Sequence, residues 1–225
     1  MNILIIGDAV FSSCLSDKLK QSHHYNQHFI LCTNQLINEL EVSVNIRLDD
    51  EDAIINFCVE HKIDVVVLAH QQVLENGFYD KLKENSFMNR TIIVGAAKET
   101  IQQFNNSTNE QKEIVSDSKN IEQIVVLTDG ANYKVLNERD EQQLKLIEQQ
   151  IIKKVIEKGV NISGFLCFNV FRKDENYELA SYQFVMNDDV AATILERLET
   201  DVLSLFAAMD NGTLEDVNIE FYDKK

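Results

Sequence analysis

Met1-Asn2-Ile3-Leu4-Ile5-Ile6-Gly7 opens the chain as a short apolar run that stops at a glycine. A run with no polar face, closed by glycine, reads as the buried first strand of a mostly parallel sheet entering a tight strand-to-helix turn. Working outward, residues 8–21 read as a helix with Phe11, Cys14, Leu15 and Leu19 on one side. Residues 29–32 and 42–46 read as two further short strands. Asp49, Asp50, Glu51 and Asp52 put negative charge at a helix start, where the macrodipole favours it, and Ala53, Ile54, Phe57 and Cys58 form its packing stripe. The β-branched run at 63–69 predicts a strand, 72–85 a helix, and 90–95 a closing strand. Five strands alternating with helices predict an open α/β domain over residues 1–100.

Residues 101–120 are polar and rich in asparagine, which predicts a linker. Beyond them the grammar changes. Two β-rich runs, 122–127 and 132–136, flank Thr128-Asp129-Gly130-Ala131, and Asp-Gly is a strong hairpin signal. A helix over 140–158 carries Leu144, Ile147, Ile151 and Val155, with Gly159 as its C-cap. Two long strands, 163–172 and 177–186, then share a hairpin at 173–176. A last helix runs from near Asp188 through Val190, Ile194, Leu198, Val202, Phe206 and Met209 to Gly212. Residues 121–225 thus read as an antiparallel sheet with two helices across one face, either a second domain or a second layer on the first.

The chain has 225 residues, a formal net charge of -16 and a pI near 4.6. That balance argues against nucleic acid, whose phosphates need clustered Lys and Arg. With no long apolar run and no basic segment before the first strand, the expectation is a cytoplasmic protein with no membrane partner. Asn161-Ile162-Ser163 is then a chance glycosylation match. Cys14, Cys32, Cys58 and Cys167 are far apart among apolar residues, which favours buried free thiols over disulfides or zinc. Proline is absent, so Gly, Asn and Asp must shape the loops.

The candidate ligand-binding residues lie where a parallel sheet presents its strand ends: Gly7, Asp8, Ala69, His70, Gln71 and Gly95. A helix start after Gly7 could cradle a phosphate, but Asp8, Ala9 and Val10 stand where a dinucleotide fingerprint needs glycines. His70 and its glutamines could hydrogen-bond a small polar ligand. No Walker motif occurs. His23, His24 and His28 read as solvated loop side chains rather than a metal site, and Ser12, Ser13 and Cys14 lack the context of a nucleophile. Asp188 and Asp189 read as helix capping, with Asp188 the sole weak candidate for a metal ligand. Residues 188–225 hold ten acidic and three basic side chains, a solvated face or one that meets a basic partner.

Taken in order, several of these segments resemble phosphoribosylamine-glycine ligase, an ATP-grasp enzyme of early purine synthesis. They are Met1 to Gly7, Lys62 to Leu74 with Asn76, Gly77 and Asp80, then Gly95, then Asn161 to Cys167, then Asp188 to Val202. The resemblance implies a pre-ATP-grasp-like domain followed by a partial ATP-grasp-like α+β domain. The departures from the family pattern are as informative. Ala9 and Val10 replace the glycines of its first turn, and Phe11, Ser12 and Ser13 replace an Arg-Glu-His triplet. Ala69, His70 and Gln71 replace Gly-Pro-Glu. The metal- and phosphate-binding stretch aligns with Ser181, Gln183, Val185 and Asn187-Asp188-Asp189-Val190, where Asp188 alone matches. The interval between 107 and 121 is short for the lobe that grips ATP, and no counterpart of the family's C-terminal domain follows the last helix. The resemblance with these departures implies a catalytically inactive, cofactor-free scaffold. Its roles would be an interaction or regulatory subunit, a dimer or partner of another protein. The alternatives are a module for a small phosphorylated metabolite and a ligase completed by a second chain.

Overall fold

The computed structural model describes residues 1–7, 9–32, 43–109, 121–157 and 161–223. Its parallel part comprises β1 (Asn2–Gly7), α1 (Ala9–Leu19), β2 (Gln27–Leu31), α2 (Glu51–Glu60), β3 (Val65–Ala69), α3 (Gln71–Glu75), α4 (Phe78–Glu84), β4 (Ile92–Ala96) and α5 (Lys98–Asn109). The antiparallel part comprises β5 (Ile121–Thr128), β6 (Tyr133–Val135), α6 (Glu141–Ile147), α7 (Lys153–Ile156), β7 (Ile162–Lys173), β8 (Asn176–Gln183), α8 (Asp188–Arg197) and α9 (Val202–Asp210). No helix among the described residues is long and apolar enough to cross a membrane.

All eight strands join one sheet in the order β2-β1-β3-β4-β7-β5-β6, with β8 also paired to β7. The junction is β7. Its first residues pair antiparallel with β4, through Gly95–Ser163 and Ala96–Ile162, while its remainder pairs with β8 on that same flank and with β5 on the other. A Cβ on Gly164 would lie 2.7 Å from the Gly95 nitrogen, so the two strands meet as closely as they do because residue 164 has no side chain. The hydrophobic cores cover the two faces of this sheet, and each draws on both halves of the chain. One gathers Leu4, Ile6, Val66 and Ile93 with Ile124, Phe168 and Ile151; the other gathers Ile3, Ile5, Phe11 and Leu15 with Val125, Phe165, Leu195 and Phe206.

Several elements differ from the sequence reading. The 42–46 strand reduces to a single bridge between Ser43 and Ile30, Val42 lying outside the described residues. The 72–85 helix is broken at Gly77, whose φ of 88° starts α4. The expected linker begins as a helix, because Ile101 and Phe104 give α5 a buried stripe; Phe104 sits 4.6 Å from Tyr182 and 5.5 Å from Phe184, ring centre to ring centre. The rest of that linker, like Gly159, lies outside the described residues. The 140–158 helix is capped by the Asp140 carboxylate and passes through a π turn at Glu148–Ile152. From that turn Gln150 accepts a hydrogen bond from the Tyr177 amide and donates one to Asn176, which fastens it to the β7–β8 hairpin.

The final helix is two helices. Asp201 caps α9 by accepting from the Leu203 and Ser204 amides. Across the elbow, the Glu199 and Thr200 amides donate to the Glu220 carbonyl. The helices of the antiparallel part also lie on opposite faces rather than one, α6 and α7 under the first core and α8 and α9 under the second. Because β5 and β7 are buried on both sides, each face needs its own cover.

Candidate functional site

The carboxyl ends of β1 and β3 finish side by side, with Gly7 paired to Ala69, and helices α1 and α3 lead away from them. Thr128 pairs with Gly164 beside the β4–β7 junction, so the β5–β6 hairpin reaches the same edge of the sheet. Gly7 is needed for close approach: a Cβ there would lie 3.1 Å from the Ala69 Cβ and 3.1 Å from Ser12 Oγ. Ser12 is fully buried, and its hydroxyl has no hydrogen-bond partner among the described residues. His70 is half-buried at the start of α3 in an extended conformation.

The edge therefore brings Gly7, Ala69 and His70 together, with Gln71 next to His70 and Gly95 one residue before the end of β4, and the surroundings of these last two differ from an open site. Gly95 is enclosed: Tyr79 Cδ2 would be 2.9 Å from a Cβ there, and Leu74 and Leu68 close the remaining space. Tyr79 is buried, and burial pushes its hydroxyl pKa up, with a hydrogen bond to Ser163 opposing that shift. Gln71 spends its amide along α3, donating to Glu75 at 2.8 Å. Asp8 lies outside the described residues.

Strands β5, β7 and β8 are joined by a ladder of neutral polar side chains. Gln123 on β5 is buried and donates to Asn169 Oδ1 at 3.1 Å and to Gln183 Oε1 at 2.6 Å. Its own carbonyl oxygen accepts from the Asn187 amide at 2.9 Å. Asn169 in turn donates to Ser181 Oγ at 2.9 Å. Strand register places Asn169 opposite both Gln123 and Ser181. Asp188 is exposed in the first turn of α8, while Asn187 holds the cap position without a side-chain cap bond. The two aspartates favour α8 by charge rather than by capping. Among the described residues, no three His, Cys, Asp or Glu side chains converge as a metal site.

Two further arrangements were not legible as such in the sequence. His28, expected in a solvated loop, faces inward from β2 and is only 3% exposed. Its Nε2 lies 2.8 Å from Ser16 Oγ and its Nδ1 2.8 Å from the Tyr25 hydroxyl. Burial, assisted by Lys20, holds its pKa below the usual imidazole value. With Ser16 buried, this chain of polar groups clasps α1 to β2 and does not present a nucleophile. Of the cysteines, Cys58 and Cys167 are buried, whereas Cys14 and Cys32 are half-buried; all four are free. Burial pushes the Cys58 thiol up to about 12.

The comparisons with known proteins agree with this layout. Residues 1–103 match the family described as phosphoribosylglycinamide synthetase, N domain. A phosphoribosylamine-glycine ligase of Fusobacterium nucleatum is 27% identical over 86 residues, which cover 38% of this chain and 20% of that protein. The match thus spans about a fifth of that relative's length. Among solved structures, phosphoribosylamine-glycine ligase of Thermotoga maritima has a TM-score of 0.56 at 12% identity, covering 96% of this chain and 75% of that one. Urea amidolyase of K. lactis gives 0.64 at 11% identity, covering 98% of this chain and 16% of its own. Pyruvate carboxylase of Rhizobium etli gives 0.57 at 11%, covering 94% and 24%. At such identities these structures speak for the fold. The first 103 residues are thus similar to the phosphoribosylglycinamide synthetase N domain, and the sheet that continues from them has the mixed α/β fold that the resemblance to phosphoribosylamine-glycine ligase implies.

Proposed function

We propose that the chain is a catalytically inactive phosphoribosylamine-glycine ligase-like protein, cytoplasmic, that acts through its surfaces as an interaction or regulatory subunit. The observation that carries this reading is the amide ladder of Gln123, Asn169, Ser181 and Gln183. Forming an acyl phosphate from ATP requires cations and carboxylate-bound Mg²⁺ converging on the transferring phosphoryl group. Of the aligned positions, Ser181 and Gln183 are neutral and bonded into this network while Asp188 is a lone matching carboxylate on the first turn of α8, and hard divalent cations prefer several charged oxygen ligands. A metal entering there would have to break a satisfied buried network without gaining a carboxylate.

The test is a calorimetric titration of the whole chain with Mg²⁺-ATP, with glycine and with ribose 5-phosphate. No heat from Mg²⁺-ATP is expected. Tight Mg²⁺-ATP binding would overturn the reading, and turnover appearing only with a second protein would favour a ligase completed by a partner. A second reading has its own observation: the paired ends of β1 and β3 at Gly7 and Ala69, beside the buried Ser12 hydroxyl, leave the sheet edge suited to a small phosphorylated metabolite. Binding of ribose 5-phosphate without nucleotide would favour it. Light scattering then decides whether the protein is a dimer.

A further inference from the structure

Asn-Gly occurs twice in the chain, at Asn76-Gly77 and Asn211-Gly212, and Asp-Gly once, at Asp129-Gly130. Glycine leaves its own amide nitrogen with no Cβ beside it, so at these places that nitrogen can approach the preceding side-chain carbonyl carbon with least hindrance. The fold treats the three differently.

Asp129 is held: its Oδ1 accepts from the Ala131 and Asn132 amides at 2.9 and 2.6 Å, and its Oδ2 from Asn132 Nδ2 at 3.2 Å. Gly77 is buried, and its amide donates to the Leu74 carbonyl at 3.0 Å. It stands between buried Val73 and Leu74 on α3 and buried Phe78 and Tyr79 on α4, so turning the Asn76–Gly77 peptide would disturb core side chains on both sides. Asn211, Gly212 and Thr213, by contrast, are all exposed where α9 ends. Nothing lies within 4 Å of the place that a Cβ on Gly212 would take. The turn is closed by the Gly212 amide donating to the Met209 carbonyl at 3.3 Å and the Thr213 amide donating to the Ala208 carbonyl at 2.9 Å. With Asn211 at a ψ of -4°, ring closure onto its side chain requires that turn to open, and an exposed helix end opens at low cost.

We propose that Asn211 is a deamidation site, selected over Asn76 by the fold. The Gly212 nitrogen, having given its proton to base, bonds to Asn211 Cγ; the Cγ–Nδ2 bond breaks, and that nitrogen takes up a proton and leaves as ammonia. Water then opens the cyclic imide. Cleavage at the side-chain carbonyl gives aspartate, and cleavage at the main-chain carbonyl gives isoaspartate, whose main chain is longer by one carbon. Either product sets a carboxylate beside Asp210 at the C-terminal end of α9, where the macrodipole disfavours it. Isoaspartate also shifts the Gly212 and Thr213 amides away from the carbonyls they bond. Because α9 buries Leu205, Phe206 and Met209, the change loosens the cover of the second core. The chemistry needs only water and base, and it holds whatever role the protein has.

The full chain is kept in mildly alkaline buffer, folded and in urea, and the peptides around residues 76 and 211 are followed by mass spectrometry after digestion. In the folded chain the 211 peptide is expected to show the mass gain of an amide turned to acid and to separate into two isomers. It should do so at least about tenfold faster than the 76 peptide, a gap of about 1.4 kcal/mol in local opening. In urea the two should convert at equal rates. Asn211→Gln should leave the folded chain unmodified at that position, and methyl transfer by an isoaspartyl carboxyl methyltransferase should label the parent chain and not this variant. A 211 peptide that stays intact in the folded chain while the unfolded chain reacts, or a 76 peptide that keeps pace with it, overturns the proposal.

Discussion

At the scale of single residues, the polar groups inside this sheet are more telling than the apolar ones. His28 sits between Ser16 and Tyr25 with its pKa depressed by burial. Its neutral form is the one the fold accepts, whereas the unfolded chain takes up a proton near the ordinary imidazole value of 6.5. Its contribution to stability is therefore complete above that pH and falls as pH drops from there toward the folded pKa. Denaturant unfolding at a series of pH values should show this decline, and His28→Gln should flatten it in the window below 6.5. An unchanged slope in the variant would remove His28 as its cause. Neither His28 nor the Gln123–Asn169 pair could be assigned from local sequence. Both are polar residues within strand runs, and only register reveals that Asn169 faces Gln123 or that His28 lies beside Ile3.

At the scale of elements, the long apolar strands and the Asp129-Gly130 hairpin could be read directly, because strand burial and turn chemistry are local properties. The interruptions could not. Apolar periodicity runs on through Leu198 and Val202, yet Asp201 caps a new helix there and residues near Glu220 pair with the elbow. Capping supplies a measurable term: Asp201→Ala should cost about 1 kcal/mol, with Ser22, whose hydroxyl donates to the other carboxylate oxygen at 2.7 Å, adding to the loss. Thermal unfolding checks it, and Asp201→Asn should recover most of the cap. A variant as stable as the parent would mean that the elbow is held by the tail pairing alone. Helix α5 shows the opposite failure, since its polar composition suggested a linker and two buried side chains, Ile101 and Phe104, were enough to make it a packed helix.

For the whole molecule, the change of grammar near residue 120 does mark a change from parallel to antiparallel pairing, but the hydrogen-bonded sheet runs across it through β7. Helix α1 packs against α8 and α9 from the other half, and Phe11 meets Phe165 at 6.2 Å between ring centres. Shared cores of this kind couple the two halves thermodynamically. Heat and urea should therefore each give one transition, coincident by far-UV circular dichroism and by tyrosine fluorescence. Two resolved transitions would show that the halves unfold independently.

The facing pair Gly95 and Gly164 carries a consequence for descent. A side chain at Gly164 would run into the backbone of Gly95, whereas one at Gly95 would meet Tyr79, Leu74 and Leu68, so each position is held to glycine by a different neighbour. In any lineage of this sequence they are separate heritable characters: a side chain at 164 requires β4 and β7 to drift apart, while one at 95 requires a smaller residue in place of Tyr79.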